Sequence, residues 1–268
     1  MLVNKMDESF IDTRNSKHYY ELSLSRFLQD PHVSDRNKQI ISSFLRDAAL
    51  GKTVFGKSKK AIGHSRLSGH LSHLAIPIRF LQLDLDKLTQ ADMERFIEAL
   101  ENDSIRSRGT RLIGRANLVA TGAPLSTSYK RDIKVTLKIF YRWLLGDSKT
   151  IPDIVAWIDT FDRPNEVPSL TPTEVQRMVD RAKTSLNRAL IQVLFDGGFR
   201  LGELLNIRLQ HVRLQSAEPK DPRAYFLLRA PFSKTLRRTV ALPMPETTKW
   251  LTMWIWHRAQ AASGWRVM

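Results

Sequence analysis

Cysteine is absent from this 268-residue chain, which excludes a disulfide framework and any thiolate-ligated zinc site. The absence fits a reducing compartment, and the cytoplasm is the expected location. Long apolar runs are missing too: none approaches the ~20 residues needed to span a bilayer, and no membrane partner is expected. The opening MLVNKMDES is too polar for a secretory signal. Acidic residues are scarce: 27 Asp and Glu stand against 42 Lys and Arg, a formal charge of +15. Such an excess points to a polyanionic partner, with nucleic acid ahead of an anionic membrane. There is no Walker loop, and Gly197, Gly198 and Gly202 lack the spacing of a dinucleotide fingerprint. No Ser-His-Asp arrangement and no internal repeat is found. No cofactor and no small-molecule substrate is therefore expected. His64, His70 and His73 cluster in sequence without a carboxylate, and are read as phosphate-facing or solvent-exposed rather than metal-binding.

What is present is helical patterning in the first half. A polar lead, 1–33, precedes a helical domain over 34–146. Ser34 reads as the N-cap of a helix ending at Gly51, with Ile40, Ile41, Phe44, Leu45 and Ala48 at helical spacing. The stretch from Gly51 to Gly63 is a basic loop (Lys52, Lys57, Lys59, Lys60) suited to lie along phosphates. A helix from Ser65 to Leu81 begins with Arg66 and is interrupted by Pro77. Another follows from the cap Thr89, inside an acidic stretch, 84–103, expected to face away from a polyanion. The helix from Ser126 to Leu145 carries Lys130, Lys134, Lys138 and Arg142 at intervals of four, so they share one face. That face is either a nucleic-acid contact or a solvated surface, and the overall charge favours the contact.

Residues 147–169 hold Pro152, Pro164 and Pro168 and read as a linker with a short helical turn at Ile154–Ile158. A second domain, 170–268, opens with Thr171 as N-cap, Pro172 at the first helical position and Glu174 closing a capping box. Helices over Pro172–Lys183 and Asn187–Asp196 lead to Gly197 and Gly198, a sharp exit. Leu201, Leu204, Leu205 and Ile207 start a new helix at once, which holds Arg200 in a tight corner. There its guanidinium and the free N–H groups of the helix start face a common anion, unless Arg200 is an ordinary surface residue. Glu203 is placed to anchor neighbouring cations. Strands at Tyr225–Ala230 and Thr239–Leu242 flank a turn carrying Lys234, Arg237 and Arg238, which either reach into a cleft or keep the turn soluble. Trp250, Leu251, Trp254 and Ile255 form a later helical stripe, while Trp256 and Trp265 add apolar surface.

Taken in order, these segments resemble the tyrosine recombinases, the phage integrase family, including the archaeal-type integrases. The segment GGFRLGELLNI at 197–207 is similar to the family's first arginine box, Ser233-Lys234 to its hairpin lysine, and Phe140–Leu144 to the last helix of its core-binding domain. LTPTE at 170–174 resembles the usual entrance to its catalytic domain. The resemblance covers roughly 34–250. It implies a mainly α fold with a small β-hairpin or sheet: a helical, SAM-like core-binding domain followed by an α+β catalytic domain. It implies duplex DNA as the partner, other recombinase protomers on that DNA, and strand cleavage and rejoining through a phosphotyrosine without metal or nucleotide. Arg200 would stabilise charge on the scissile phosphate, Lys234 would protonate the leaving 5′ oxygen, and Glu203 would hold the box in shape. The sequence departs from the family after the hairpin. No His-x-x-Arg box follows, and His257 is wrongly spaced. All five tyrosines (Tyr19, Tyr20, Tyr129, Tyr141, Tyr225) precede Lys234. The expectation is a C-terminally truncated member that binds DNA without cleaving it alone, its second domain incomplete and partly unfolded in isolation.

Overall fold

The computed structural model describes residues 15–53, 60–107, 110–113, 117–120, 122–145, 150–161, 169–216, 223–232 and 238–263. The chain divides into two compact units, one over Asn15–Asn165 and a second from Glu166 onward. Among the described residues the fold is mainly α-helical, with a two-stranded ribbon in the first unit and a three-stranded antiparallel sheet in the second.

The first unit is built from α1 (Ser16–Gln29), α2 (Asp35–Ala49), α3 (His64–Leu81), α4 (Gln90–Glu101), the ribbon β1 (Thr110–Ile113) and β2 (Asn117–Ala120), α5 (Thr127–Leu144) and the single turn α6 (Asp153–Ala156). Local chemistry sets the helix starts. The Ser34 hydroxyl accepts from the Asn37 N–H, Ser126 accepts from Tyr129, and Thr89 forms a capping box with Asp92. The core centres on Phe44, Phe96 and Phe140, all fully buried, each worth roughly 1.5–3 kcal/mol of transfer free energy. Phe44 packs edge-on against both Phe140 and Trp143 with centroids 5.3 Å apart. α3 runs unbroken through the buried Pro77. The Asn37 amide donates to Leu83 O at 3.0 Å and accepts from the Leu85 N–H at 2.9 Å, and the Tyr141 hydroxyl donates to Leu85 O at 2.8 Å. Those three bonds pin the turn between α3 and α4.

Two stretches that read as connections belong to this core. The lead contains α1, which packs on α3 and buries Phe27. The linker contributes Val155 and Ile158, both buried. Polar composition concealed α1, because its few apolar residues gain burial only from a neighbour distant in sequence.

The second unit comprises α7 (Pro172–Arg181), α8 (Ser185–Gly197), the single turn α9 (Leu201–Leu204), β3 (Val212–Gln215), β4 (Tyr225–Ala230), β5 (Arg238–Leu242) and α10 (Pro245–Ser263). Thr171 and Glu174 close a capping box with Pro172 at the first position. The sheet order is β3-β4-β5, with Gln215 opposite Tyr225 at one end and Ala230 opposite Arg238 at the other. α8 and α10 pack together, and Val193, Phe199, Phe226, Leu228, Leu242 and Leu251 form the core. Trp254 and Ile255 cover that core in part, Trp256 is exposed, and Trp265 lies outside the described residues.

Candidate nucleic-acid interface

Arg200 is held by the end of α8. Gly198 adopts φ +54° and donates its N–H to Leu194 O at 3.1 Å, which turns the chain out of the helix. Gly197 lies so close to the core that a Cβ there would sit 2.5 Å from the Phe199 ring and 2.9 Å from Leu242. Phe199 is thereby buried and its neighbour Arg200 projects outward, its side chain 56% exposed.

Glu203 organises the corner. Its carboxylate is 97% buried, being only 3% exposed, and accepts from the Arg200 N–H at 3.0 Å and from Arg200 Nη1 at 2.8 Å. It also accepts from Arg238 Nη2 at 2.8 Å, and the same nitrogen donates to Gly198 O at 3.0 Å. The Arg238 guanidinium lies 5.3 Å from the Phe199 ring centroid. Two guanidinium groups therefore share one buried carboxylate, which leaves the trio with one net positive charge. Such a group attracts an anion while the carboxylate fixes where the donors point. Behind it, the Asn206 amide donates to Gly202 O at 2.9 Å and His211 Nδ1 accepts from the Arg208 N–H at 3.0 Å, both side chains buried.

The helix after Arg200 is shorter than its leucine pattern suggests. α9 is one turn, and the first free N–H is already taken by Glu203. A single turn carries little macrodipole, so the attraction for an anion comes from the guanidinium groups. Arg238 as the second partner of Glu203 escaped the sequence reading, because the two residues are 35 apart and meet only when β5 pairs. Lys234 and Arg237, and Lys57 and Lys59 in the first unit, lie outside the described residues. Lys60 and Arg66 are exposed on the first unit, where the Ile62 N–H donates back to Ala48 O at 3.2 Å.

The lysine row on α5 is not an open cationic stripe. Lys130 donates to Glu101 O at 3.1 Å and pairs with Asp103 at 2.8 Å; Lys134 pairs with Glu101; Lys138 donates to Ala156 O at 3.2 Å. Their side chains clamp the carbonyl ends of α4 and α6, and at α4 the helix dipole adds to the stabilisation of the cations. Arg142 is half-buried. The acidic stretch 84–103 and this row thus neutralise one another in part, rather than facing opposite ways. Asp86 similarly takes Arg36, with Nη2 at 2.6 Å.

His70 is buried and His73 half-buried, so neither is solvent-exposed as expected, whereas His64 is. His70 Nδ1 and His73 Nδ1 approach Thr136 Oγ1 at 3.3 and 2.9 Å, while that hydroxyl donates to Asp132 O at 2.8 Å. With its proton engaged, the oxygen accepts from both rings, so both carry hydrogen on Nδ1. Burial, with smaller contributions from His73 and Arg66, pushes the His70 ring down to about 4. His73 is lowered by burial as well, against an opposing pull from Asp132. Exposed His64 packs its ring against Tyr20. Among the described residues, no group of His, Asp and Glu is placed to hold a metal ion, and no helix is long and apolar enough to cross a membrane.

No protein-family model matches the chain, and no curated protein matches it. Among solved structures it is similar to the XerA recombinase in its crystal structure, at 18% identity and a TM-score of 0.31. The match covers 83% of this chain, which spans 65% of the length of that recombinase chain.

Proposed function

We propose that this chain is a DNA-binding protein of recombinase type whose Arg200–Glu203–Arg238 corner meets a backbone phosphate of duplex DNA. The observation that carries the reading is the pair of half-exposed guanidinium groups fixed on one buried carboxylate. The chain's charge of +15 supplies the long-range attraction, and Lys60 and Arg66 are the first unit's exposed contacts. Arg200 donates to the non-bridging oxygens, and Lys234, four residues from Arg238 in sequence, is the proton donor to a leaving oxygen in the strand-exchange version of this function.

Binding rather than cleavage is the favoured activity of the chain alone. Tyr225 is the sole tyrosine of the second unit, and it lies at the Gln215 end of β4. A rise of five residue steps along β4, about 17 Å, separates it from Ala230 beside Arg238. Tyr141 has its hydroxyl bonded to Leu85 O, and burial drives its ionisation far above the usual range. The test is duplex binding followed by fluorescence anisotropy at several salt concentrations. Arg200→Ala is expected to weaken binding by about tenfold and to reduce the slope of log K against log salt by about 1. Unchanged affinity and slope in a normally folded variant would remove the corner from the interface.

A further inference from the structure

A cavity of about 690 Å³ opens within the first unit, in the size range of roughly 300–1,000 Å³ usual for ligand sites. Ser72, Arg79 and Phe80 from α3, Arg106 from the chain after α4, and Ser126 and Tyr129 at the start of α5 line it. One side is held by an antiparallel bridge between Arg106 and Pro124, with the Ser107 N–H donating to Ala123 O at 2.9 Å.

The two arginines differ. Arg79 donates Nε and Nη2 to Asp30 at 3.3 and 3.0 Å, so its charge is balanced. Arg106 is exposed, and no acidic partner stands beside it among the described residues. Its one polar contact there is a long 3.5 Å approach to Gly122 O. The cavity therefore holds one guanidinium whose charge is offset by no acidic group among the described residues. Opposite in character are Phe80, 40% exposed although its ring edge touches Phe96, and the half-buried Tyr129. The hydroxyls are polarised in opposite senses. Ser72 donates to Ser68 O at 2.9 Å and retains lone pairs to accept with, whereas Ser126 accepts from the Tyr129 N–H and keeps its proton to give.

An inorganic anion alone would leave the aromatic walls unused, and an apolar ligand would bury Arg106 uncompensated. A molecule joining a phosphate to a flat ring satisfies both. We infer that this cavity binds a nucleotide, its phosphate on the Arg106 fork and its base against Phe80 and Tyr129. The same chemistry arrives either as a free mononucleotide or as an unpaired residue of a DNA strand.

Isothermal titration of the full chain with deoxyadenosine monophosphate tests it. Saturable binding is expected with a dissociation constant below about 1 mM, and deoxyadenosine and inorganic phosphate should each bind at least about tenfold more weakly. Arg106→Gln should weaken the nucleotide at least about tenfold, and Arg106→Lys, which keeps the charge without the fork, by less. A short single-stranded oligonucleotide that displaces the mononucleotide identifies a strand as the source, and one that does not identifies the free nucleotide; either supports the site. The inference is overturned if no saturable binding occurs, if inorganic phosphate binds as well as the nucleotide, or if Arg106→Gln binds like the wild type. Duplex affinity measured in parallel keeps the result separate from the fate of the Arg200 corner.

Discussion

Acidification below pH 6.5 should destabilise the first unit through its buried histidines. The gap between the ordinary imidazole value of 6.5 and about 4 for His70 is worth roughly 3 kcal/mol at 1.36 kcal/mol per pH unit. The folded state binds the His70 proton less readily than the unfolded chain does. Stability is therefore full above pH 6.5, falls as the pH drops, and has lost the whole contribution near pH 4. His73 is shifted in the same direction and adds to the loss. Asp30, Asp47, Asp84 and Asp92 are all held below their ordinary 3.8, so their contributions are lost below the window in which His70 acts. For a unit of about 150 residues, 3 kcal/mol corresponds to a fall of about 6–12 °C in melting temperature. Circular dichroism melts at half-unit pH steps read this directly. His70→Gln keeps a donor for Thr136 and cannot ionise, so its curve should be markedly flatter. A variant whose melting temperature drops as steeply as the wild type between pH 6.5 and 4 would refute the assignment.

Two further outcomes follow from the packing. Lys130→Met, which keeps the aliphatic stem but loses Asp103 and the Glu101 carbonyl, should cost the first unit about 1 kcal/mol in urea unfolding and leave duplex affinity unchanged. A loss of duplex affinity without a loss of stability would restore the α5 row as a DNA contact. Gly197→Ala forces a methyl against Phe199 and Leu242 and should destabilise the second unit by about 1–3 kcal/mol, seen as an earlier tryptophan-fluorescence transition.

Much of the helical framework was legible because its signals are local. A hydroxyl at Ser34, Thr89, Ser126 or Thr171 meets an N–H three residues later, and Gly198 takes a backbone conformation other residues resist. The mainly α fold with a small sheet follows from the same patterns. Illegible parts depend on partners far along the chain. Lys130 and Lys134 meet acidic groups some 30 residues upstream, in a stretch expected to face the other way. His70 and His73 each give an Nδ1 hydrogen to Thr136, more than 60 residues on, and are held below the ordinary imidazole range by burial. β3 is four residues long, with three of them exposed, and shows no burial alternation to betray it. At the corner, Arg200 and Glu203 could be singled out from three residues of spacing, but Arg238 required the sheet register.

One consequence of that register concerns when the corner comes into being. Residues 200 and 203 sit on the chain before the sheet, while 238 reaches them only after β4 and β5 have closed. An unfolded or half-folded chain offers scattered cations but not this fixed constellation. Any polyanion that prefers the assembled geometry must therefore favour the folded second unit by mass action. Maturation of the sheet and engagement of the ligand become a single coupled equilibrium, with the carboxylate at 203 as the joint between them.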